Sequence, residues 1–124
     1  MARKRKGAEQ VPSYNNLMIP VLDALIELGG SGTIEEINEK VYAIKNFSEE
    51  VLQIPHKDDS SRSEVDYRLA WARTYLKKFG LLENSARGIW TLTKSEIDTK
   101  TLNAEEIVRH VRSLRENWER LLNR

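Results

Sequence analysis

The 124-residue chain contains no cysteine, only two histidines and three prolines, and no apolar run of the length that a membrane span requires. The absence of cysteine excludes disulfide bonds, thiolate metal ligands and thiol catalysis, and it is typical of a reducing compartment. The basic residues after Met1 are followed by polar sequence rather than by the apolar core of a signal peptide. We therefore expect a cytoplasmic protein without a membrane segment.

The few residues that could carry chemistry form no recognisable catalytic or metal-binding motif. His56 and His110 lie far apart, and neither belongs to a metal-ligand spacing such as H-x-x-x-H. The glycine-rich stretch at 29–32 lacks the lysine of a phosphate-binding loop and instead indicates the end of a helix. We expect no enzymatic activity, no cofactor and no bound metal.

Charge is nearly balanced over the whole chain, with 20 basic and 19 acidic residues, but it is unevenly distributed. Residues 20–60 are strongly acidic, whereas residues 61–79 and the run of basic residues near the N-terminus are cationic. A polyanionic partner would meet the two cationic segments first. Charges of this size are also common on ordinary solvated surfaces, so the charge pattern alone leaves both interpretations open.

Apolar residues recur at three- and four-residue spacings in three segments before residue 80, which predicts three amphipathic helices. The first helix ends at the glycines of 29–32, and the second begins with a capping box formed by Thr33 and Glu36. The third extends from Ser63 to Phe79 and ends at Gly80. The apolar residues predicted to face the core from the first and third helices are Leu17, Val21, Leu22, Leu25, Ile26, Leu28, Val65, Leu69, Ala72, Leu76 and Phe79.

Two further elements are predicted after residue 80. Short alternating segments on either side of the turn sequence NSARG predict a β-hairpin. Asn103 with Glu106 then forms an N-cap pair that begins a last helix. Its apolar residues, spaced by four and three, form a heptad seam: Ile107, Val111, Leu114, Trp118 and Leu121.

Three helices followed by a hairpin is the element order of a winged helix-turn-helix. We therefore predict a mainly α (α+β) fold with a three-helix core, a β-hairpin wing and an additional C-terminal helix. The predicted organisation is a flexible basic arm (1–13), a winged-helix domain (14–95), a linker (96–102) and the last helix (103–124). In this fold the third helix enters the major groove of duplex DNA and the hairpin contacts the backbone.

The cations of the arm, the third helix and the hairpin turn are the predicted DNA-binding residues. Arg87 is the strongest candidate because an arginine at an exposed turn contributes little to folding, whereas Arg68 fits an internal ion pair equally well. Trp71 and Tyr75 are expected to pack against the hairpin or the first helix rather than to stack on bases. The full predicted set is Arg3, Lys4, Arg5, Lys6, Arg62, Arg68, Arg73, Lys77, Lys78 and Arg87.

The apolar seam of the last helix has two interpretations. It could pack back on the core, or it could pair with its copy in a second chain, because a lone helix of this length is only marginally stable. We favour a homodimer through Ile107, Val111, Leu114, Trp118 and Leu121, which would present two recognition helices to two half-sites.

Three stretches between residues 11 and 95 carry a resemblance to a known family. The sequences VPSYNNLMIPVLDAL, RLAWARTYLKKFGLLE and RGIWTLT, in this order, resemble the N-terminal winged-helix domain of Mrr-type restriction endonucleases. The resemblance implies DNA targeting, often of modified DNA, by a domain that accompanies a nuclease domain. No nuclease-like sequence follows Thr93, so it implies duplex binding without cleavage, with a nuclease as a possible separate subunit. A protein-protein interaction module or a transcriptional regulator on the same scaffold is the alternative.

Overall fold

The computed structural model describes residues 7–57 and 61–123, which form five α-helices and three strands. A short 3-10 turn at Ala8–Gln10 precedes them. The elements are α1 (Tyr14–Glu27), β1 (Ser31–Thr33), α2 (Ile34–Lys45), α3 (Glu49–Leu52), α4 (Glu64–Phe79), β2 (Leu82–Ala86), β3 (Ile89–Leu92) and α5 (Ala104–Leu122). The order confirms the predicted fold class, with α1, α2 and α4 as the three-helix core and β2–β3 as the wing.

The ends of the core helices follow from local sequence signals. Thr33 Oγ1 accepts a hydrogen bond from the Glu36 backbone N–H (3.1 Å), and Glu36 Oε1 accepts one from the Thr33 backbone N–H (2.8 Å), which is the predicted capping box. Ser63 caps α4 by accepting from the Asp66 backbone N–H (3.1 Å). Gly80 ends α4 in the left-handed region (φ 101°), where a side chain would be strained. These signals fix the start and the end of the helix that carries the candidate site.

The sheet has one strand that the sequence pattern did not predict. β3 is the central strand and pairs antiparallel with both β2 and β1, so the strand order is β1-β3-β2. Gly32 in β1 lies opposite Trp90, and a Cβ at Gly32 would lie 3.0 Å from the Leu28 side chain, which would have to shift to accommodate it. The β3 side of the wing is therefore joined through β1 to the helical core, and β2 forms the other edge of the sheet.

The apolar core lies between α1, α2 and α4 and is closed by the start of α5. The predicted apolar faces of α1 and α4 are confirmed with one exception, because Ile26 is exposed rather than buried. On α2 the sequence predicts Ile34, Ile37 and Val41 in the core, and Ile37 and Val41 are buried, whereas Ile34 is exposed. On α5 the seam divides. Ile107 and Val111 are buried against the core, whereas the seam residues of its second half are exposed: Leu114, Trp118 and Leu121.

The segments predicted as arm and linker also contact the core. Val11 is buried, and its carbonyl accepts a hydrogen bond from Arg68 Nη1 (2.7 Å), so residues 7–13 pack against α4. The basic residues Arg3, Lys4, Arg5 and Lys6 lie outside the described residues. Between β3 and α5, Thr99 Oγ1 donates to Asp23 Oδ1 (2.9 Å) and holds the predicted linker against α1.

Candidate nucleic-acid interface

α4 presents one face that none of the helices and strands within residues 7–57 and 61–123 covers. Tyr67, Trp71 and Lys78 follow each other along this face, with Ala70 and Thr74 between them. Trp71 is 43% exposed, so it does not pack against the hairpin as expected, and only its edge contacts Tyr75 (ring centroids 6.2 Å apart). The arrangement is a shallow, partly aromatic surface about three helical turns long.

Cations lie at both ends of this face. Arg62 precedes the helix, and its guanidinium carbon is 5.6 Å from the centroid of the Tyr67 ring. At the other end Lys78 is exposed, while Lys77 Nζ donates to Asn84 Oδ1 of β2 (2.7 Å). Lys77 therefore connects α4 to the wing, and Lys78 is the side chain of the two that extends freely from the helix end.

The tip of the wing is tighter than the sequence NSARG indicated. Residues 84–86 belong to β2, with a bulge between Asn84 and Ala86, and the turn consists of Arg87 and Gly88 alone. Gly88 has a φ of 76°, in the left-handed region that glycine adopts without strain. Arg87 is exposed at the tip, in the position that the sequence predicted.

Arg68 forms an internal ion pair, which is one of the two roles, besides DNA contact, that its sequence position allowed. Its Nε lies 2.6 Å from Glu64 Oε2, and the other oxygen of that carboxylate lies 3.0 Å from His56 Nδ1. Glu64 is buried, and Arg68 is also bonded to the carbonyl of Val11. This ion pair joins the N-terminal segment, the loop after α3 and the first turn of α4.

Arg73 is buried in the core rather than displayed on the exposed face of α4. It is only 4% exposed, its Nη1 donates to Asn38 Oδ1 on α2 (2.9 Å), and burial lowers its pKa. Asn38 in turn donates to Asp66 (3.4 Å), which also accepts from the Tyr42 hydroxyl. Because its guanidinium is inaccessible, Arg73 is excluded from the interface that we propose below.

Residues of α1 and α5 lie at the edge of this surface, and Tyr75 packs against the first helix, as predicted. Tyr14 of α1 packs on Tyr75 of α4 with ring centroids 4.9 Å apart, and the Tyr14 hydroxyl accepts from Arg112 Nη2 of α5 (3.1 Å). Burial raises the pKa of Tyr14, and a hydrogen bond with Tyr14 lowers the pKa of Tyr75. Arg112 directly follows the seam residue Val111, and this position was the sequence signal that could have placed it at the edge of the core.

Neither a membrane-spanning helix nor a metal-binding cluster occurs within residues 7–57 and 61–123. No helix in these ranges combines the length and hydropathy needed to cross a membrane. No group of three or more histidine, aspartate or glutamate side chains in the same ranges could hold a metal ion.

The fold and the exposed α4 face define a winged helix-turn-helix domain with an additional C-terminal helix. The sequence matches the family model described as Mrr N-terminal domain over residues 14–101, from the first residue of α1 to just before α5. The chain therefore belongs to the Mrr N-terminal domain family and is related to Mrr-type restriction systems. No curated protein and no solved structure matches the chain.

Proposed function

We propose that this domain binds duplex DNA, with the exposed face of α4 in the major groove and the Arg87 turn against the phosphate backbone. The observation that carries the proposal is the uncovered face of α4, which has cations at both ends and the wing attached to its last turn through Lys77. An α-helix fits the major groove by width, and helix-turn-helix proteins use this arrangement. Membership of the Mrr N-terminal domain family supports the same role.

The contacts divide between positioning and base recognition. Arg62, Lys78 and Arg87 are the described cations that we assign to phosphates, and the basic residues 3–6 remain assigned to the backbone or the minor groove. Tyr67, Ala70, Trp71 and Thr74 are the side chains that would face base edges. In this proposal the domain binds DNA selectively, by its sequence or by a base modification, and carries out no catalytic step.

Salt dependence tests the proposal directly. Each phosphate contact made by a lysine or arginine contributes about −0.9 to the slope of log affinity against log salt concentration. We expect the Lys78→Ala/Arg87→Ala double variant to bind duplex about tenfold more weakly and to show a slope shallower by about 1.8. Fluorescence anisotropy from about 50 to about 200 mM salt measures both quantities.

Lys100→Ala is the matched control, because Lys100 lies in the segment that Thr99 holds against α1. Its affinity and slope should equal those of the wild type. Affinity that does not change with salt, or that the double variant leaves intact, would contradict DNA binding through this face and favour a protein-interaction module instead.

We also propose that the domain forms a homodimer through the second half of α5. Leu114, Trp118 and Leu121 are 45%, 63% and 59% exposed, yet they continue the heptad seam that Ile107 and Val111 begin in the core. The described part of the chain offers this seam no covering element. A second copy of the helix is the occupant that we infer, since a heptad seam is self-complementary about a two-fold axis.

Trp118→Glu tests the dimer by placing a carboxylate in the middle of the seam. We expect the dissociation constant of the dimer to rise by about 30-fold or more, as for the central residue of an interface. Arg120→Glu, which places the same carboxylate on the opposite side of the helix, should leave it unchanged. Sedimentation equilibrium measures both, and a wild-type chain that is monomeric at the highest concentration would overturn the dimer.

A further inference from the structure

A pocket of about 500 Å³ opens between the start of α1 and the middle of α4. We call it the aromatic pocket, and its lining residues are Ser13, Tyr14, Tyr67, Arg68, Trp71 and Tyr75. Three of the four tyrosines of the chain line it, together with a tryptophan that stays 43% exposed. Tyr14 and Tyr75 also pack against the hydrophobic core, whereas Tyr67 and Trp71 are not part of it, so core packing does not account for these two rings.

The walls of the aromatic pocket are fixed by contacts on their outer sides. The Tyr67 ring is stacked on His56, with ring centroids 3.5 Å apart and an interplanar angle of 19°. Tyr14 and Tyr75 pack on each other, and Arg68 is held by Glu64 and by the carbonyl of Val11. A ligand that enters would immobilise few additional side chains, so it would lose little of its binding energy to ordering the site.

The chemistry of the lining selects among the ligands that aromatic rings can bind. Rings of this kind accept either a cation or a second planar ring. The lining contains the guanidinium of Arg68 and no acidic side chain, and Arg112 donates to the hydroxyl of Tyr14. Because Glu64 already balances the charge of Arg68 and the lining contains no carboxylate, a cation would find no counter-ion in the pocket, whereas a neutral planar ring needs none. The exposed Arg112 beside Tyr14 would attract a negative charge attached to that ring. A nucleobase attached to its phosphate backbone has this chemistry.

The aromatic pocket also adjoins the surface that we assign to DNA. Tyr67 and Trp71 belong to both, so they form the wall between the exposed face of α4 and the pocket. On the premise that the domain binds duplex DNA as proposed above, we infer that the aromatic pocket receives a nucleobase that has left the base stack. The exposed faces of that base would contact the rings of Tyr67, Trp71 and Tyr75, as in other proteins that bind unstacked bases.

Two duplexes that differ at a single position test the inference. In one, a central adenine is paired with thymine, and in the other the same adenine lies opposite an abasic-site analogue and is free to leave the stack. We expect the wild type to bind the second duplex about tenfold more tightly, because the cost of unpairing is removed and stacking on the rings is retained. The measured quantity is the ratio of the two dissociation constants.

Two variants locate the preference in the aromatic pocket. Trp71→Ala and Tyr14→Leu remove rings from two different walls, and each should reduce the ratio to less than about twofold. Ile44→Ala is the control, because it truncates an exposed apolar side chain on α2 that lines neither the pocket nor a proposed interface, and it should keep the full ratio. Thermal unfolding of each variant confirms that the domain is folded.

The outcomes separate this inference from the proposed function. Equal affinity of the wild type for both duplexes, with normal salt dependence, overturns the aromatic pocket as a base site and leaves DNA binding intact. A preference that persists in both Trp71→Ala and Tyr14→Leu overturns it as well. Absence of binding to either duplex overturns the proposed function, and the base site with it.

Discussion

Replacing Arg68 by alanine is expected to lower the free energy of unfolding by about 3 kcal/mol, one of the two largest effects predicted for this domain. The side chain of Glu64 is 3% exposed, and Arg68 lies 2.6 Å from its carboxylate. Removing one partner of a buried ion pair costs about 3 to 5 kcal/mol, and the 23% exposure of Arg68 places its loss at the lower end. Urea unfolding followed by tryptophan fluorescence measures the change.

The control for this variant is a second arginine-glutamate pair with the same spacing of four residues. Arg115 Nε lies 3.2 Å from Glu119 on α5, but their side chains are 82% and 57% exposed. Water screens such a pair, so Arg115→Ala should cost less than about 0.5 kcal/mol. Equal losses for the two variants would contradict the idea that burial, rather than the contact itself, gives the Arg68 pair its importance.

The helices and the wing could be predicted because their signals are local. The capping box at Thr33, the N-cap at Ser63 and the glycine at 80 lie within a few residues of the ends that they determine. β1 could not be predicted in the same way. It is three residues long and exists through pairing with β3, almost sixty positions later, whereas its sequence signals only the end of α1.

The candidate site was predicted only in part, because helical periodicity places a residue on a side of α4 without saying what covers that side. Lys78 and Arg87 lie where they were expected, on exposed surface. Arg68 is covered by the segment around Val11, and Arg73 by α2. The burial of both arginines depends on how distant parts of the chain pack on α4, and the sequence of residues 61–79 alone does not contain that information.

The same limit applies to the seam of α5. Its spacing predicted one continuous apolar face, and the residues of that face are correctly identified. The core covers only the part around Ile107 and Val111, so the seam serves packing in its first half and remains available to a partner in its second. Packing on the core therefore accounts for the first turns of the helix, and the homodimer remains our proposal for the later turns.

The other large effect is expected for Asn38→Leu, which should lower the free energy of unfolding by about 2 to 3 kcal/mol. Asn38 Oδ1 accepts the hydrogen bond from Arg73 Nη1, and leucine would leave that buried, charged donor without its acceptor. The Nε of Arg73 already has no hydrogen-bond partner within the described ranges. Fewer N–H groups of the buried guanidinium would then have a hydrogen-bond acceptor.

A double-mutant cycle separates this explanation from simple loss of packing. Arg73→Met removes the buried charge and replaces it by an apolar side chain of similar length beside Trp90, so it should cost less than about 1 kcal/mol. The Asn38→Leu/Arg73→Met double variant should be more stable than Asn38→Leu alone, with a coupling energy of about 2 kcal/mol. Additive losses would show that Asn38 acts through its own packing and not through Arg73.

The cycle also bears on function, because Arg73→Met removes a cation from the helix that we propose enters the major groove. If only the exposed face of α4 contacts DNA, this variant should bind duplex with wild-type affinity and salt slope, whereas the Lys78→Ala/Arg87→Ala variant should not. A slope that becomes shallower in Arg73→Met would mean that α4 moves on binding to expose the guanidinium. Unchanged binding together with the predicted coupling would assign Arg73 to the joint between α2 and α4.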